Sequence, residues 1–135
     1  MDTTTLQAAV ELSEALEEIF LATSDAKGQP HVGVARRLTL AGDDRVAVAE
    51  WFCPGTLANV QKRPRISLII WDRNADAGYQ LLGTVEKISD VAMMDGYEAA
   101  GEPRRPMPQV ERRLLIKVDK ILDFTRAPHT DVESP

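Results

Sequence analysis

The sequence has few of the side chains that most often carry metal or covalent chemistry. It contains one cysteine, Cys53, and two histidines, His31 and His129. A single cysteine excludes a disulfide within the chain, which fits a reducing compartment. One cysteine and two distant histidines match no zinc-ligand spacing, so we expect no metal site. Cys53 is either a packing thiol or a nucleophile for which no neighbouring base can be named.

Long apolar runs and excess positive charge are also missing. No run approaches the ~20 apolar residues that a membrane span requires. The first residues, Met1 to Thr5, lack the basic segment of a secretory signal. The formal net charge is −5, which disfavours duplex nucleic acid and anionic membranes as partners. We therefore expect a cytoplasmic protein without nucleic-acid or membrane partners.

The length and composition fit one folded domain. The chain has 135 residues, of which 44% are hydrophobic, as is usual for a soluble globular domain with a single core. We expect that domain to span residues 1–125. Residues 126–135 are expected to form a mobile C-terminal tail.

Hydrophobic spacing predicts one opening helix followed mostly by strands. Apolar residues recur every three or four positions through Phe20, and the hydroxyls of Thr3 to Thr5 can cap this helix. Strands are expected at residues 20–24, 31–40, 45–51, 66–71, 78–88 and 114–124. Short helices are expected at residues 56–62 and 89–99, and a loop at residues 101–108. This order predicts a mainly β, α+β fold: an antiparallel barrel whose openings are covered by helices.

Two adjacent arginines stand out within the expected strand at residues 31–40. Val32, Val34, Leu38 and Leu40 share one face of that strand. Arg36 falls on the same face, and a charge directed toward a core needs a partner. An anionic ligand gripped by the guanidinium is one such partner. The alternative is that Arg36 lies at the barrel rim and reaches solvent or an acidic residue.

A second candidate is the junction where Pro54-Gly55 precedes an expected helix. The free backbone N–H groups of a helix N-terminus, together with the Thr56 hydroxyl, can hold a phosphate. An ordinary turn and cap is the alternative. His31, at the start of its strand, is expected to be structural or exposed to solvent rather than catalytic.

Gln80 and three aromatic residues are candidates for a ring-binding site. Gln80 lies between apolar strand neighbours, and its amide both donates and accepts hydrogen bonds, which suits the polar edge of a flat heterocycle. An outward-facing strand glutamine is the alternative. Trp51, Phe52 and Trp71 can wall a ring system or can simply belong to the core.

Taken in order, these segments resemble the FMN-binding split-barrel superfamily, the pyridoxamine 5'-phosphate oxidase-like proteins. The resemblance runs from Phe20 to about Ile88 and more loosely to Phe124. The segments that carry it are residues 20–23, 28–32, 56–60, 63–66 and 80–83. The short chain is closer in length to the small bacterial FMN-binding proteins than to the full oxidase.

The resemblance implies an antiparallel split β-barrel with a few short covering helices, and FMN held at a homodimer interface. It places Ala35, Arg36, Arg37 and Leu38 along the flavin and its phosphate. It also places Trp51, Phe52 and Cys53 beside the ring, Thr56 at the phosphate and Gln80 at the flavin. Many relatives carry a basic residue where this chain has Gly55. The phosphate would then need Arg36, Arg37 or a residue from elsewhere.

The expected function is that of an FMN-dependent oxidoreductase or electron carrier, because the flavin supplies the redox chemistry. The redox substrate is not identified, and no catalytic acid or base can be assigned. One alternative is a deazaflavin-dependent reductase, in which Arg104 and Arg105 could bind a longer acidic tail. Another is a module that binds or senses flavin without turnover. The substrate-binding residues of the true oxidase have no match, so vitamin B6 oxidation is not expected.

Overall fold

The computed structural model describes residues 2–49, 54–95 and 108–133. These ranges contain helices α1 (Thr3–Leu16) and α2 (Pro54–Lys62). The strands are β1 (Ile19–Ser24), β2 (Pro30–Ala35), β3 (Arg37–Leu40), β4 (Arg45–Ala49), β5 (Arg65–Asp72), β6 (Ala77–Asp95), β7 (Pro108–Asp123), β8 (Thr125–Arg126) and β9 (His129–Thr130). No helix within these ranges is long and apolar enough to cross a membrane. The cytoplasmic location stays a prediction.

The main sheet is curled and antiparallel, and its two edge strands are not paired with each other. Its strand order is β2-β1-β5-β6-β7-β4-β3, and every neighbouring pair is antiparallel. The edge strands β2 and β3 are separated along the chain by Arg36 alone. This one-residue link holds the end of β2 close to the start of β3, so the sheet curls toward a barrel that stays open between the two edge strands. The prediction of a mainly β, antiparallel split barrel with covering helices is confirmed.

The inward-facing side chains of the strands form one core. Leu21, Leu68, Leu81 and Ile116 are among its fully buried members, and Leu6 of α1 packs onto them. Helix α1 is capped by Asp2, whose Oδ1 accepts a hydrogen bond from the Thr4 backbone N–H at 2.9 Å. The expectation that Thr3 to Thr5 provide the cap is therefore wrong, because the Asp2 carboxylate, one residue earlier, accepts the hydrogen bond from the free backbone N–H of the first turn.

The strand expected at residues 31–40 is broken at Arg36, which belongs to neither β2 nor β3. The break resets the alternation of side chains, so Ala35 and Leu38 both face the core. Val32 and Val34 point outward and are 61% and 51% exposed. The prediction that Val32, Val34 and Leu38 share one face is therefore wrong, because it assumed an unbroken strand.

The helix expected at residues 89–99 is also wrong where the structure describes it. Strand β6 continues to Asp95 and pairs with β7 along its length, with three register shifts. Asp90 and Arg112 lie opposite each other in this ladder, and Arg112 Nη1 donates to Asp90 Oδ1 at 2.6 Å. Pairing with a distant strand thus overrides the local signal for a helix at residues 89–99. The loop predicted at residues 101–108 lies outside the described residues except for Pro108.

The segment expected to be a mobile tail contains backbone hydrogen bonds. Strands β8 and β9 form a small hairpin, and the Asp123 N–H donates to the Val132 carbonyl at 2.8 Å. The hairpin lies beside the β5–β6 turn, where Asp76 accepts hydrogen bonds from its backbone. The domain boundary at residue 125 stays a prediction.

Gly83 allows close packing of β6 on β7 and gives the first test of the fold. A Cβ at this position would meet the Lys117 carbonyl oxygen and would lie 2.8 Å from Ile116 Cγ2. Because the backbone oxygen cannot rotate away, we expect Gly83→Ala to lower the free energy of unfolding by about 3 kcal/mol in urea denaturation. The control is Gly28→Ala, where φ is +80° but the space is open, and about 1 kcal/mol is expected. Equal losses would contradict the packing described here.

Candidate functional site

One candidate site is an apolar cavity on the outer face of the sheet. Phe20, Ile69 and Gln80 lie side by side on β1, β5 and β6, as the strand register requires. They and their neighbours enclose about 500 Å³, within the range of small-molecule pockets. The lining residues of this ring cavity are Phe20, Val32, Ile69, Trp71, Gln80, Phe124, Thr125 and Arg126.

The chemistry of the ring cavity suits a flat heterocycle. Trp71 and Phe124 contact each other edge to face, with ring centroids 5.8 Å apart. Gln80 Nε2 donates to Ser67 Oγ at 2.6 Å, which fixes the orientation of the amide. The amide oxygen is an acceptor for a ring N–H. The cavity therefore combines aromatic and aliphatic walls with one oriented polar group.

A second candidate site lies where the N-terminus of α2 packs against β1 and β2. Thr56 is completely buried, and its Oγ1 has no hydrogen-bond partner within the described residues. The same holds for His31 Nδ1, which is also buried. The imidazole lies against Gly55, where a Cβ would be 2.9 Å from His31 Nε2. Two buried polar atoms without partners are costly, so they indicate a place for a ligand or water. We call His31, Gly55 and Thr56 the α2 corner.

The α2 corner suits an anion. Helix α2 begins at Pro54, so the N–H groups of Gly55 and Thr56 lie in its first turn, where an α-helix has no internal acceptor for them. The helix dipole adds partial positive charge. Asn59 Nδ2 donates to Thr23 Oγ1 at 2.9 Å and ties the helix to β1. Thr56 thus lies inside the first turn, which corrects the expectation that it is the cap.

The corner is nevertheless poor in fixed charge. Among β1, β2 and α2, the one Lys, Arg, Asp or Glu residue is Lys62, in the last turn of α2. An anion at the corner would be bound by backbone N–H groups, a hydroxyl and an imidazole. The sequence predicts that, with Gly55 in place of the basic residue of many relatives, the phosphate charge would need Arg36, Arg37 or a residue from elsewhere.

The structure does not bring Arg36 to the α2 corner. Arg36 follows His31 by five residues, or ~16 Å of extended strand. Its side chain is 64% exposed, and Nη2 lies 3.0 Å from Glu17 Oε1. Of the two alternatives for Arg36, the structure thus shows the barrel rim and an acidic partner. Arg36, Arg37 and Leu38 line a separate cavity of about 300 Å³ with Glu14 and Glu17.

The other predicted site residues fall in three places. Ala35 is buried in the core, and Gln80 lies in the ring cavity. Thr56 lies in the α2 corner. Trp51, Phe52 and Cys53 lie outside the described residues. A cofactor-binding role for each of these residues stays a prediction.

Sequence reasoning missed His31, Phe20, Ile69 and Phe124. The sequence predicts that His31 is structural or exposed to solvent, because no local pattern reveals its contact with Gly55, which forms only when α2 packs on β2. Phe20 and Ile69 are apolar residues in strands, and the sequence alone does not show that they face outward. Along β1 and β5, Phe20 and Ile69 alternate with the buried residues Leu21 and Leu68, and the two strands are paired. This alternation is the signal that puts Phe20 and Ile69 on the outer face.

Comparisons with known proteins identify the family to which this chain belongs. The family model described as pyridoxamine 5'-phosphate oxidase matches residues 5–123. No curated protein matches the sequence significantly. Among solved structures, HupZ of Group A Streptococcus is 26% identical with a TM-score of 0.66, covering 96% of this chain and 98% of HupZ.

Two further solved structures share the fold at lower identity. An FMN-binding protein of Syntrophomonas wolfei is 20% identical with a TM-score of 0.68, covering 93% of this chain and 89% of that protein. An F420 reductase is 14% identical with a TM-score of 0.59, covering 82% of this chain and 93% of the reductase. The resemblance seen in the sequence is thus confirmed over most of the chain. The chain belongs to the pyridoxamine 5'-phosphate oxidase family.

Proposed function

We propose that this protein binds FMN and acts as an oxidoreductase or electron carrier. The observation that carries the proposal is a pair of buried polar atoms at the N-terminus of α2, His31 Nδ1 and Thr56 Oγ1, which have no hydrogen-bond partner in the described part of the chain. Neutral donors around a helix N-terminus fit a phosphate group. The ring cavity fits the isoalloxazine, and membership of a family with FMN-binding relatives supports the assignment.

The ring cavity and the α2 corner can serve one ligand because both border strand β2. Val32 lines the cavity, and His31 is the residue before it. Consecutive strand residues point to opposite faces, and β2 is an edge strand of the sheet. A ligand can therefore pass around this edge, with its ring over Val32 and its phosphate beside His31.

The protein's own part is binding, orientation and exclusion of water. Bound flavin supplies hydride or electron transfer. Trp71 and Phe124 provide the apolar walls that keep water from the ring, and Gln80, fixed by Ser67, offers an amide to its polar edge. No described residue is assigned as an acid or base.

We further propose that two copies of the chain pair through the face that carries the ring cavity. Val32 and Val34 are 61% and 51% exposed on the edge strand beside the cavity. Adjacent exposed apolar residues on a sheet edge favour pairing with another surface. A second copy would cover these valines and close the open side of the cavity.

A deazaflavin such as F420 is the second candidate, and one observation favours it. Ser67, which holds Gln80, also lines a neighbouring cavity of about 390 Å³ with Arg65, Lys120 and Asp119. Two cationic side chains and one carboxylate leave this cavity with a net positive charge, which could bind the acidic tail of a longer cofactor. Arg104 and Arg105, expected from the sequence to bind this tail, lie outside the described residues.

A titration followed by visible spectroscopy tests the proposal. We expect FMN to give a saturable shift of its absorption bands at one flavin per chain. Trp71→Ala should weaken FMN and riboflavin about equally, by roughly tenfold, because both lose the same aromatic wall. Absence of any shift with FMN would overturn the proposal, and a shift with deazaflavin alone would favour the second candidate.

Reduction then distinguishes the redox roles. If bound flavin is reduced by NAD(P)H and reoxidised by an acceptor over many cycles, the protein is an oxidoreductase or carrier. If flavin binds but does not turn over with any donor, the module that binds flavin without catalysis is the correct description.

A further inference from the structure

The β5–β6 turn contains an aspartate in an unusual conformation. Asp76 has φ of +52°, a left-handed value that few residues other than glycine adopt, although aspartate tolerates it better than most. Its carboxylate accepts three hydrogen bonds. The donors are the Trp71 indole Nε1 at 3.2 Å and the backbone N–H groups of Arg126 and Ala127, each at 2.8 Å.

These donors come from two separate walls of the ring cavity. Trp71 lies on β5, and Arg126 lies on β8 in the C-terminal hairpin. Trp71 also contacts Phe124, the residue before that hairpin, edge to face. Asp76 is not among the residues that line the cavity, yet it joins one wall to the other.

We infer that Asp76 is a positioning residue that holds Trp71 and the C-terminal hairpin at the spacing required by a flat ring. The inference rests on the proposed function for the identity of the ligand. Without this carboxylate the indole loses its acceptor, and the hairpin loses two backbone bonds to the β5–β6 turn. The cavity would then become wider and less well ordered.

The hydrogen bonds around Asp76 favour the ionised form of its carboxyl group. The pKa of Asp76 is lowered, first by the hydrogen bond from the Arg126 N–H and then by those from Ala127 and Trp71, while burial opposes the shift. The positive charge of Arg126 lowers it further. Hydrogen bonds to a carboxylate are stronger than those to a neutral acceptor. Because the pKa of Asp76 is lower in the folded state than in the unfolded state, the ionised carboxylate stabilises the fold at pH values above its unfolded-state pKa. That stabilisation is lost as the pH falls through the folded-state pKa.

Two substitutions at Asp76 and one control test the inference. Asp76→Gly removes the carboxylate and tolerates the left-handed backbone. Asp76→Asn keeps one acceptor oxygen and removes the charge. The control is Asp72→Ala at the end of β5, since Asp72 Oδ1 accepts from the N–H groups of Asn74 and Ala75 in the same turn and from no residue of the ring cavity.

Riboflavin affinity is the first readout, because riboflavin lacks the phosphate. We expect Asp76→Gly to weaken riboflavin about tenfold, Asp76→Asn to recover part of that loss, and Asp72→Ala to leave affinity unchanged. The second readout is the indole N–H resonance of Trp71 in flavin-free protein, which is simple to assign because the chain has two tryptophans. It should shift in both Asp76 variants and not in the control.

The outcomes separate this inference from the proposed function. If wild-type protein binds no flavin, the proposed function fails, and the indole resonance alone then decides whether Asp76 positions Trp71. A folded Asp76→Gly variant with an unshifted resonance overturns the inference. So does unchanged riboflavin affinity in that variant when the wild type binds riboflavin.

Discussion

Replacing Thr56 with valine should weaken FMN binding by roughly tenfold to a hundredfold and should also raise the stability of the flavin-free protein by about 1 kcal/mol. The two effects share one cause. Thr56 is completely buried, and its hydroxyl has no partner within the described residues. Valine has nearly the same shape as threonine but no hydroxyl. In the flavin-free protein the substitution removes the free-energy cost of burying a hydroxyl without a partner, and in the complex it removes a hydrogen-bond donor to the phosphate.

Riboflavin and a neighbouring threonine provide the controls for this prediction. Riboflavin affinity should not change in Thr56→Val, because riboflavin has no phosphate. Thr23→Val should have the opposite effect on stability, since Thr23 Oγ1 already accepts a hydrogen bond from Asn59. Its loss should lower stability and leave the preference for FMN over riboflavin intact. Thermal unfolding and fluorescence titration measure both quantities. If Thr56→Val destabilises the protein and weakens the two flavins equally, the α2 corner is not the phosphate site.

Val34→Asp is expected to dissociate the proposed dimer. Val34 is 51% exposed on edge strand β2, next to the ring cavity but outside its lining. In a twofold interface the substitution places two carboxylates in apolar contacts, which costs several kcal/mol. We expect the dimer dissociation constant to rise at least about a hundredfold. Both FMN and riboflavin should then bind more weakly, because the cavity loses its cover.

Val132→Asp is the matched control for the interface. Val132 is a 63% exposed valine beyond the C-terminal hairpin. The same charge change there should leave the dimer intact in sedimentation velocity at the same concentration. A dimer that persists in Val34→Asp, or a wild type that is monomeric while binding flavin tightly, would contradict the proposed interface.

The sequence predicted the barrel well because most of its strands are marked by local patterns. Alternation, the glycine-containing turns at residues 25–28 and 41–44 and the Pro-Gly break place β1, β4, β5 and α2 within a few residues of their observed positions. The exceptions depend on contacts that are distant in sequence. Strand β6 reaches Asp95 because β7 pairs with it, and this ladder outweighs the helix expected at residues 89–99. The break at Arg36 follows from curling of the sheet, which no local pattern reveals.

The candidate site could be predicted only in part, for a similar reason. Gln80 and Thr56 carry polar groups in unusual local settings, so the sequence singles them out. His31 gains its significance from the packing of α2 on β2, and Asp76 from the hydrogen bonds of a hairpin 50 residues later. Arg36 stands out in the sequence because its charge interrupts an apolar strand pattern, and the structure shows the second of its two alternatives, a place at the barrel rim beside Glu17.

The most direct test of the account is an NMR titration of the wild-type protein with FMN and, separately, with riboflavin. If FMN spans both sites, it will shift the backbone amides of Gly55 and Thr56 together with the indole N–H of Trp71. Riboflavin will shift the indole and leave the two amides in place. Amides of Gly55 and Thr56 that do not respond to FMN, in a protein that binds it, would contradict a phosphate site at the N-terminus of α2.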